Sequence, residues 1–155
     1  MKAIETKYKG YRFRSRLEAR WAVFFDELVV DWQYEPEGFE LDDVGTRYLP
    51  DFLVTPFKDL PFWLEIKPSA PSAEEKRKAK ILSVETKMRV FIFSGDPMGV
   101  ASYASFRPEG GETVLHGAKI DAVKGFCRLF GREKFQVVSA QEAARGARFE
   151  FGEQG

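Results

Sequence analysis

The chain has 155 residues, is 44% hydrophobic and contains fifteen phenylalanines, enough material for one domain, residues 1–155, with a real core. No stretch approaches the ~20 apolar residues of a membrane helix, and the start, Met1-Lys2-Ala3-Ile4-Glu5, lacks an apolar signal region, so a membrane partner is not expected. The single cysteine, Cys127, excludes an internal disulfide, argues against a cysteine zinc site and fits a reducing cytoplasm.

In chain order, Tyr8-Lys9-Gly10-Tyr11 predicts a tight hairpin, with Gly10 supplying the unusual backbone angle. Ser15 then opens a helix that runs to about Val29. Its buried stripe is Leu17, Trp21, Phe24, Phe25 and Leu28. Trp32–Glu35 and Phe39–Leu41 read as short strands around a turn marked by Pro36 and Gly38. Gly45-Thr46 leads into a strand, Pro50–Val54. A loop from Thr55 to Pro61 joins it to the next strand, Phe62–Lys67, which Pro68 ends.

Ser72 with Glu75 forms a capping box for a helix to about Lys87, with Ala79 and Leu82 facing inward. Arg89–Phe93 reads as a strand whose run Val90-Phe91-Ile92-Phe93 is continuously apolar, as expected of burial on both faces. Beyond it, Ala101–Gly111 reads as irregular, Thr113–Leu115 as a strand and Lys119–Phe130 as a helix with Ile120, Val123, Cys127 and Phe130 on one side. Phe135–Val138 reads as a strand, Ala140–Arg145 as a short helix, and Phe149–Gly152 as a tail. The order helix, three strands, helix, strand predicts an α/β fold with a mixed sheet flanked by helices.

The chemistry concentrates in the hairpin. Centred on Lys58, it sets Asp51 opposite Glu65, Phe52 opposite Leu64 and Leu53 opposite Trp63. Side chains alternate along a strand, so Asp51, Glu65 and Lys67 share one face, while Phe52, Val54, Phe62, Leu64 and Ile66 share a core face. Two adjacent carboxylates repel unless a cation sits between them. Mg²⁺ is the natural candidate, because it takes oxygen ligands and keeps several waters. The plainer reading is a cross-strand pair of Asp51 with Lys67, of the few-tenths kcal/mol kind.

Charge is balanced in sum, 24 basic against 24 acidic residues, unlike a dedicated nucleic-acid binder. Its distribution is not even. Lys2, Lys7, Lys9, Arg12, Arg14, Arg16 and Arg20 crowd the first twenty residues, and Lys76, Arg77, Lys78, Lys80, Lys87 and Arg89 follow the hairpin. Between them lie Asp31, Glu35, Glu37, Glu40, Asp42, Asp43 and Asp51. Basic flanks around an acidic centre suit phosphates outside and a metal inside; a plain solvated surface explains either basic stretch equally well. Arg12, Arg14, Arg16, Lys76, Arg77 and Lys80 are the candidate phosphate contacts. Tyr11 and Phe13 beside Arg12 are set to stack on bases or simply to pack. Glu35 and Glu37 are extra ligands or solvated turn residues. His116 stands alone and receives no role, and Trp21, Trp32, Trp63 and Cys127 read as core.

Ser15-Arg16-Leu17-Glu18 on the first helix, Pro50-Asp51, and then Glu65-Ile66-Lys67 resemble the PD-(D/E)XK nuclease superfamily, in particular small restriction-like endonucleases of phages and transposon ends. The resemblance covers roughly residues 8–95 and leaves 96–155 as an unexplained C-terminal extension. It implies a restriction-endonuclease-like core with the order α-β-β-β-α-β. It implies a metal-dependent endonuclease that hydrolyses DNA phosphodiester bonds with a metal-activated water, using Mg²⁺ with Mn²⁺ as substitute. Asp51 and Glu65 would bind the metal with the Ile66 carbonyl. Lys67 would orient or help deprotonate the water, and Glu18 would complete the site or hold a second ion. Ser15 and Glu18 also spell a capping box, so Glu18 has a purely structural rival role. A bacterial or phage-infected cytoplasm follows from the resemblance. A homodimer suits double-strand cutting, though no sequence feature demands one. The rival function is a catalytically inactive nuclease fold kept as a DNA- or protein-binding module.

Overall fold

The structure, a computed structural model, describes residues 3–41, 45–56 and 60–151. Lys2, Asp42, Asp43, Lys58 at the hairpin's centre and Gly152 of the tail lie outside the described residues.

The chain opens with β1 (Thr6–Tyr8) and β2 (Tyr11–Phe13), joined through Lys9 and Gly10. Both turn residues have positive φ, 51° and 81°, which matches the twist of a two-residue hairpin. Helix α1 (Arg16–Glu27) follows, capped by the Ser15 hydroxyl, with Trp21, Phe24 and Phe25 fully buried along the predicted stripe. Next come β3 (Asp31–Tyr34), β4 (Phe39–Glu40), β5 (Arg47–Tyr48), β6 (Phe52–Thr55) and β7 (Phe62–Lys67). Helix α2 (Ala73–Thr86) crosses over to β8 (Val90–Ser94). The last third supplies β9 (Ser102–Phe106), β10 (Glu112–His116), α3 (Ala122–Phe130), α4 (Lys134–Gly146) and β11 (Glu150–Phe151).

The expected α/β fold with a mixed sheet is present. Six strands run in the order β10-β9-β8-β7-β6-β3. Only β7 and β8 are parallel; the other neighbours are antiparallel. This follows from connectivity, since the α2 crossover returns the chain in the same direction, whereas hairpins reverse it. On one face Phe52, Val54, Phe62, Leu64, Ile66, Phe91 and Phe93 pack under α1, α3 and α4. On the other, Trp63, Val90, Ile92, Ala104 and Phe106 pack with Ala79 and Leu82 of α2, and with Leu41 and Tyr48 from the β4–β5 ribbon.

The C-terminal third departs from expectation in three places. Residues 101–111 hold β9, buried between β8 and β10. Ser102, Ala104 and Ser105 hide the strand signal, yet the site suits them: the Ser94 and Ser102 hydroxyls pair, and the Ser83 hydroxyl donates to the Phe106 carbonyl. Phe135–Val138 is not a strand but the first half of α4. The β-branched Val137 and Val138 favour a strand locally. The helical spacing of Val137, Ala140, Gln141 and Ala144, all buried against the core, outweighs that preference. Helix α3 begins at Ala122 rather than Lys119, because Asp121 caps it by accepting from the Lys124 N–H at 3.0 Å. Elsewhere, the strands flanking Pro36 do not pair with each other: β3 joins β6, and β4 joins β5. The tail docks through β11, whose backbone pairs with β1.

Candidate active site

The β6–β7 register is Phe52 with Leu64, Leu53 with Trp63 and Val54 with Phe62. Extending it by one residue brings Asp51, just before β6, beside Glu65. Two hydrogen bonds lock the pair. The Ile66 N–H donates to Asp51 Oδ2 at 2.7 Å, and the Asp51 N–H donates to Glu65 Oε1 at 3.1 Å. Each carboxylate is thus held by backbone from the other's segment. Glu65 Oε2 meets the Lys67 ammonium at 3.1 Å, and Lys67 Nζ also reaches Glu75 Oε2 on α2 at 2.8 Å. The Asp51 carbonyl accepts from the Glu35 N–H at 2.8 Å, anchoring the chain where it enters the site.

Glu18, Asp51 and Glu65 are each only 8% exposed, which makes the site electrostatically tense. Burial pushes Asp51 well above the usual carboxylate range, and the nearby Glu65 and Glu18 carboxylates push it further; the Ile66 N–H and Lys67 oppose them. Burial also raises Glu65, against the pull of Lys67 and the Asp51 N–H. Burial works against the Lys67 cation too, but hydrogen bonds and charge from Glu75 and Glu65 outweigh it and raise its pKa. Lys67 is therefore an ammonium at neutral pH.

Glu18 settles its two rival roles in part. The Ser15 hydroxyl accepts from the Glu18 N–H at 3.2 Å, so half of a capping box exists. The reciprocal half is closed on α2, where Glu75 accepts from the Ser72 N–H at 2.8 Å. On α1, Glu18 Oε2 instead takes the Tyr34 hydroxyl hydrogen, and the Arg14 N–H donates to the Tyr34 oxygen at 3.1 Å. Glu18 is raised chiefly by burial and then by Glu35, against the Tyr34 hydrogen bond. Glu35 is no solvated turn residue: its carboxylate is 18% exposed and lies 2.8 Å from the Arg14 guanidinium. Among the described residues its Oε2 has no well-aligned hydrogen-bond donor, so the contact is a charge pair. Glu37 is exposed.

A small cavity of about 130 Å³ adjoins the pair, lined by Tyr48, Glu65, Lys67, Glu75 and Lys78. Burial, followed by Glu65 and Asp51, raises the Tyr48 phenol well above its ordinary value. Tyr34 and Tyr48 carry no sequence signal, because tertiary packing alone brings them here. Glu75 shows only as a capping residue, and Lys78 only as one of a basic run.

The candidate phosphate contacts are spread out. Arg12 pairs with Glu5 at 2.7 Å, Arg14 with Glu35, and Arg77 with Glu74 at 2.8 Å on the outer side of α2. Arg16 is the first residue of α1, half-buried, and Lys76 and Lys80 stand one turn apart on α2. Phe13 is wholly buried and packs on Tyr34 and Phe52, so it is core; Tyr11 is 39% exposed beside Trp32. Trp21 and Trp63 are core as expected, while Trp32 is half-buried and donates to Asp26 at 2.8 Å.

The donor set fits a hard divalent ion: two adjacent carboxylates short of positive charge, with the Ile66 carbonyl between Glu65 and Lys67 in sequence. Among the described residues, no three His, Cys, Asp or Glu side chains stand together as a ready-made metal cage. Glu18 lies near enough to raise both the Asp51 and the Glu65 carboxyls. Comparison with protein-family models gives no match for this chain, and comparison with curated proteins gives none.

Proposed function

We propose that the chain is a metal-dependent DNA endonuclease with a restriction-endonuclease-like core of the PD-(D/E)XK type. One observation carries this reading: Asp51 and Glu65 are pinned side by side, nearly buried, with Lys67 on Glu65. Holding two raised carboxylates together costs stability unless a cation joins them. The order α1, then sheet strands β3, β6 and β7, then α2 and β8 supports the same reading.

Asp51, Glu65 and the Ile66 carbonyl would hold Mg²⁺, or Mn²⁺ in its place. The ion supplies positive charge beside the phosphate and makes a water easier to deprotonate. Lys67, as an ammonium, orients that water by hydrogen bonding and steadies negative charge on the phosphate; it is not a base at neutral pH. Glu65 and Glu75 fix its position. Glu18, held by Tyr34, lies at the edge of the carboxylate group. DNA as substrate rests on the resemblance. No helix among the described residues is long and apolar enough to cross a membrane.

The test incubates single-stranded, duplex and branched DNA with the protein in Mg²⁺, Mn²⁺ or EDTA, beside Glu65→Ala. Metal-dependent cutting that the variant loses supports the enzyme. Binding of DNA with no cutting in any metal points instead to a nuclease fold kept as a binding module.

A further inference from the structure

A cleft of about 500 Å³ lies on the sheet face opposite Glu65 and Lys67, between α3 and strands β8 to β10. Phe91, Phe93 and Tyr103 form its floor. Its size and apolar lining fall in the range of small-molecule sites. Two further observations bear on what it holds.

The first is Gly125, in the middle of α3 and on the wall of the cleft. Glycine weakens a helix interior relative to alanine. A β-carbon added at Gly125 would meet no atom of the described residues within 4 Å, so none of them demands the missing side chain. Its absence widens the cleft.

The second is charge. Arg89 and Arg128 line the cleft, and among the described residues neither meets a carboxylate. Arg89 lies over the Phe62 and Phe91 rings, 5.9 and 5.3 Å from their centroids. The acidic lining residue, Asp121, uses its carboxylate to cap α3.

We propose that this cleft binds a small anionic amphiphile, with a ring-bearing apolar body against Phe91, Phe93, Tyr103 and α3, and an anionic head on Arg89 and Arg128. The inference does not depend on the nuclease reading. Guanidinium groups that meet no carboxylate among the described residues, beside an apolar cavity, complement an organic carboxylate or sulfonate.

Two fluorescent probes with the same apolar body test it on the intact chain: anilinonaphthalene sulfonate and its uncharged analogue N-phenylnaphthylamine. The sulfonate is expected to bind saturably, one per chain, about ten-fold or more tighter than the neutral probe. Replacing both arginines (Arg89→Gln with Arg128→Gln) should remove that advantage and leave the neutral probe unchanged. Gly125→Leu should weaken both probes about ten-fold while keeping the melting temperature. Gly125→Ala, a milder filling that strengthens the helix, should weaken them less and in the same direction. Absence of saturable binding, equal affinity for the two probes, or affinities indifferent to both Gly125 variants would overturn the proposal. So would self-association that occludes the cleft in place of probe binding.

Discussion

At the residue scale, Asp51 concentrates the tension of the site. The folded chain holds the Asp51 and Glu65 protons more tightly than the unfolded chain, whose carboxyls titrate near pH ~4. These groups therefore favour folding at acid pH, and that contribution is lost as pH rises through their elevated folded values. Asp51→Asn keeps an oxygen for the Ile66 N–H and removes the repulsion. Without metal, the variant should melt at a higher temperature than the parent at neutral pH, and the gap should close towards pH 4. A gap that widens on acidification would contradict the account. Alanine is a poorer probe, because it would leave the buried Ile66 N–H without its acceptor. Tyr34 is the second informative residue, since its hydroxyl turns Glu18 away from the helix end. Tyr34→Phe keeps the ring packed on Phe13 and Phe52 and should cost about 1 kcal/mol. The Glu18 pKa should rise, because a hydrogen bond to its charged form is lost. Carboxyl NMR titration reads this directly, and an unmoved Glu18 would show that Tyr34 does not hold it.

At the element scale, legibility follows how local the cause is. The β6–β7 hairpin was readable because Leu64-Glu65-Ile66-Lys67 alternates apolar with charged residues, and a one-residue slip would bury Asp51, Glu65 and Lys67 in the Phe52 core. The Ser15 and Ser72 helix starts were readable because a cap lies within three residues of its target. β9 and the start of α4 were not. The first mixes Tyr103 and Phe106 with small residues that only neighbouring strands select, and the second overrides a local β preference. The basic stretches mislead in a similar way. Arg20, counted with the first basic stretch, donates to the Ala144 and Arg145 carbonyls at 2.7 and 3.0 Å, closing the C-terminus of α4. Arg132 does the same for α1, reaching the Leu28 and Val29 carbonyls at 2.8 and 3.1 Å. Each arginine adds donors to carbonyls at a helix end, where intrahelical N–H groups run out. Arg20→Met, which keeps the aliphatic stem, should therefore cost about 1–3 kcal/mol of stability in denaturant titration. It should leave DNA affinity unchanged; an unchanged stability with weakened DNA binding would make Arg20 a phosphate contact instead.

At the scale of the whole molecule, the sheet divides the labour. One face, under α1, α3 and α4, carries most of the aromatic core. The other ends in Asp51, Glu65 and Lys67, with α2 supplying Glu75 and Lys78. The motif on residues 51–67 was legible because adjacent strands build it. The surrounding set of Tyr34, Tyr48, Glu75 and Lys78 was not, because elements far apart in sequence converge on it. A cation at the carboxylate pair is what the whole account rests on, and calorimetric titration with Mn²⁺ measures it directly. The parent chain should bind the ion saturably, more tightly as pH rises and the carboxyls shed their protons. Asp51→Asn and Glu65→Gln, still folded, should each lose that binding. No saturable Mn²⁺ binding by the parent, or binding that survives both substitutions, would contradict the account.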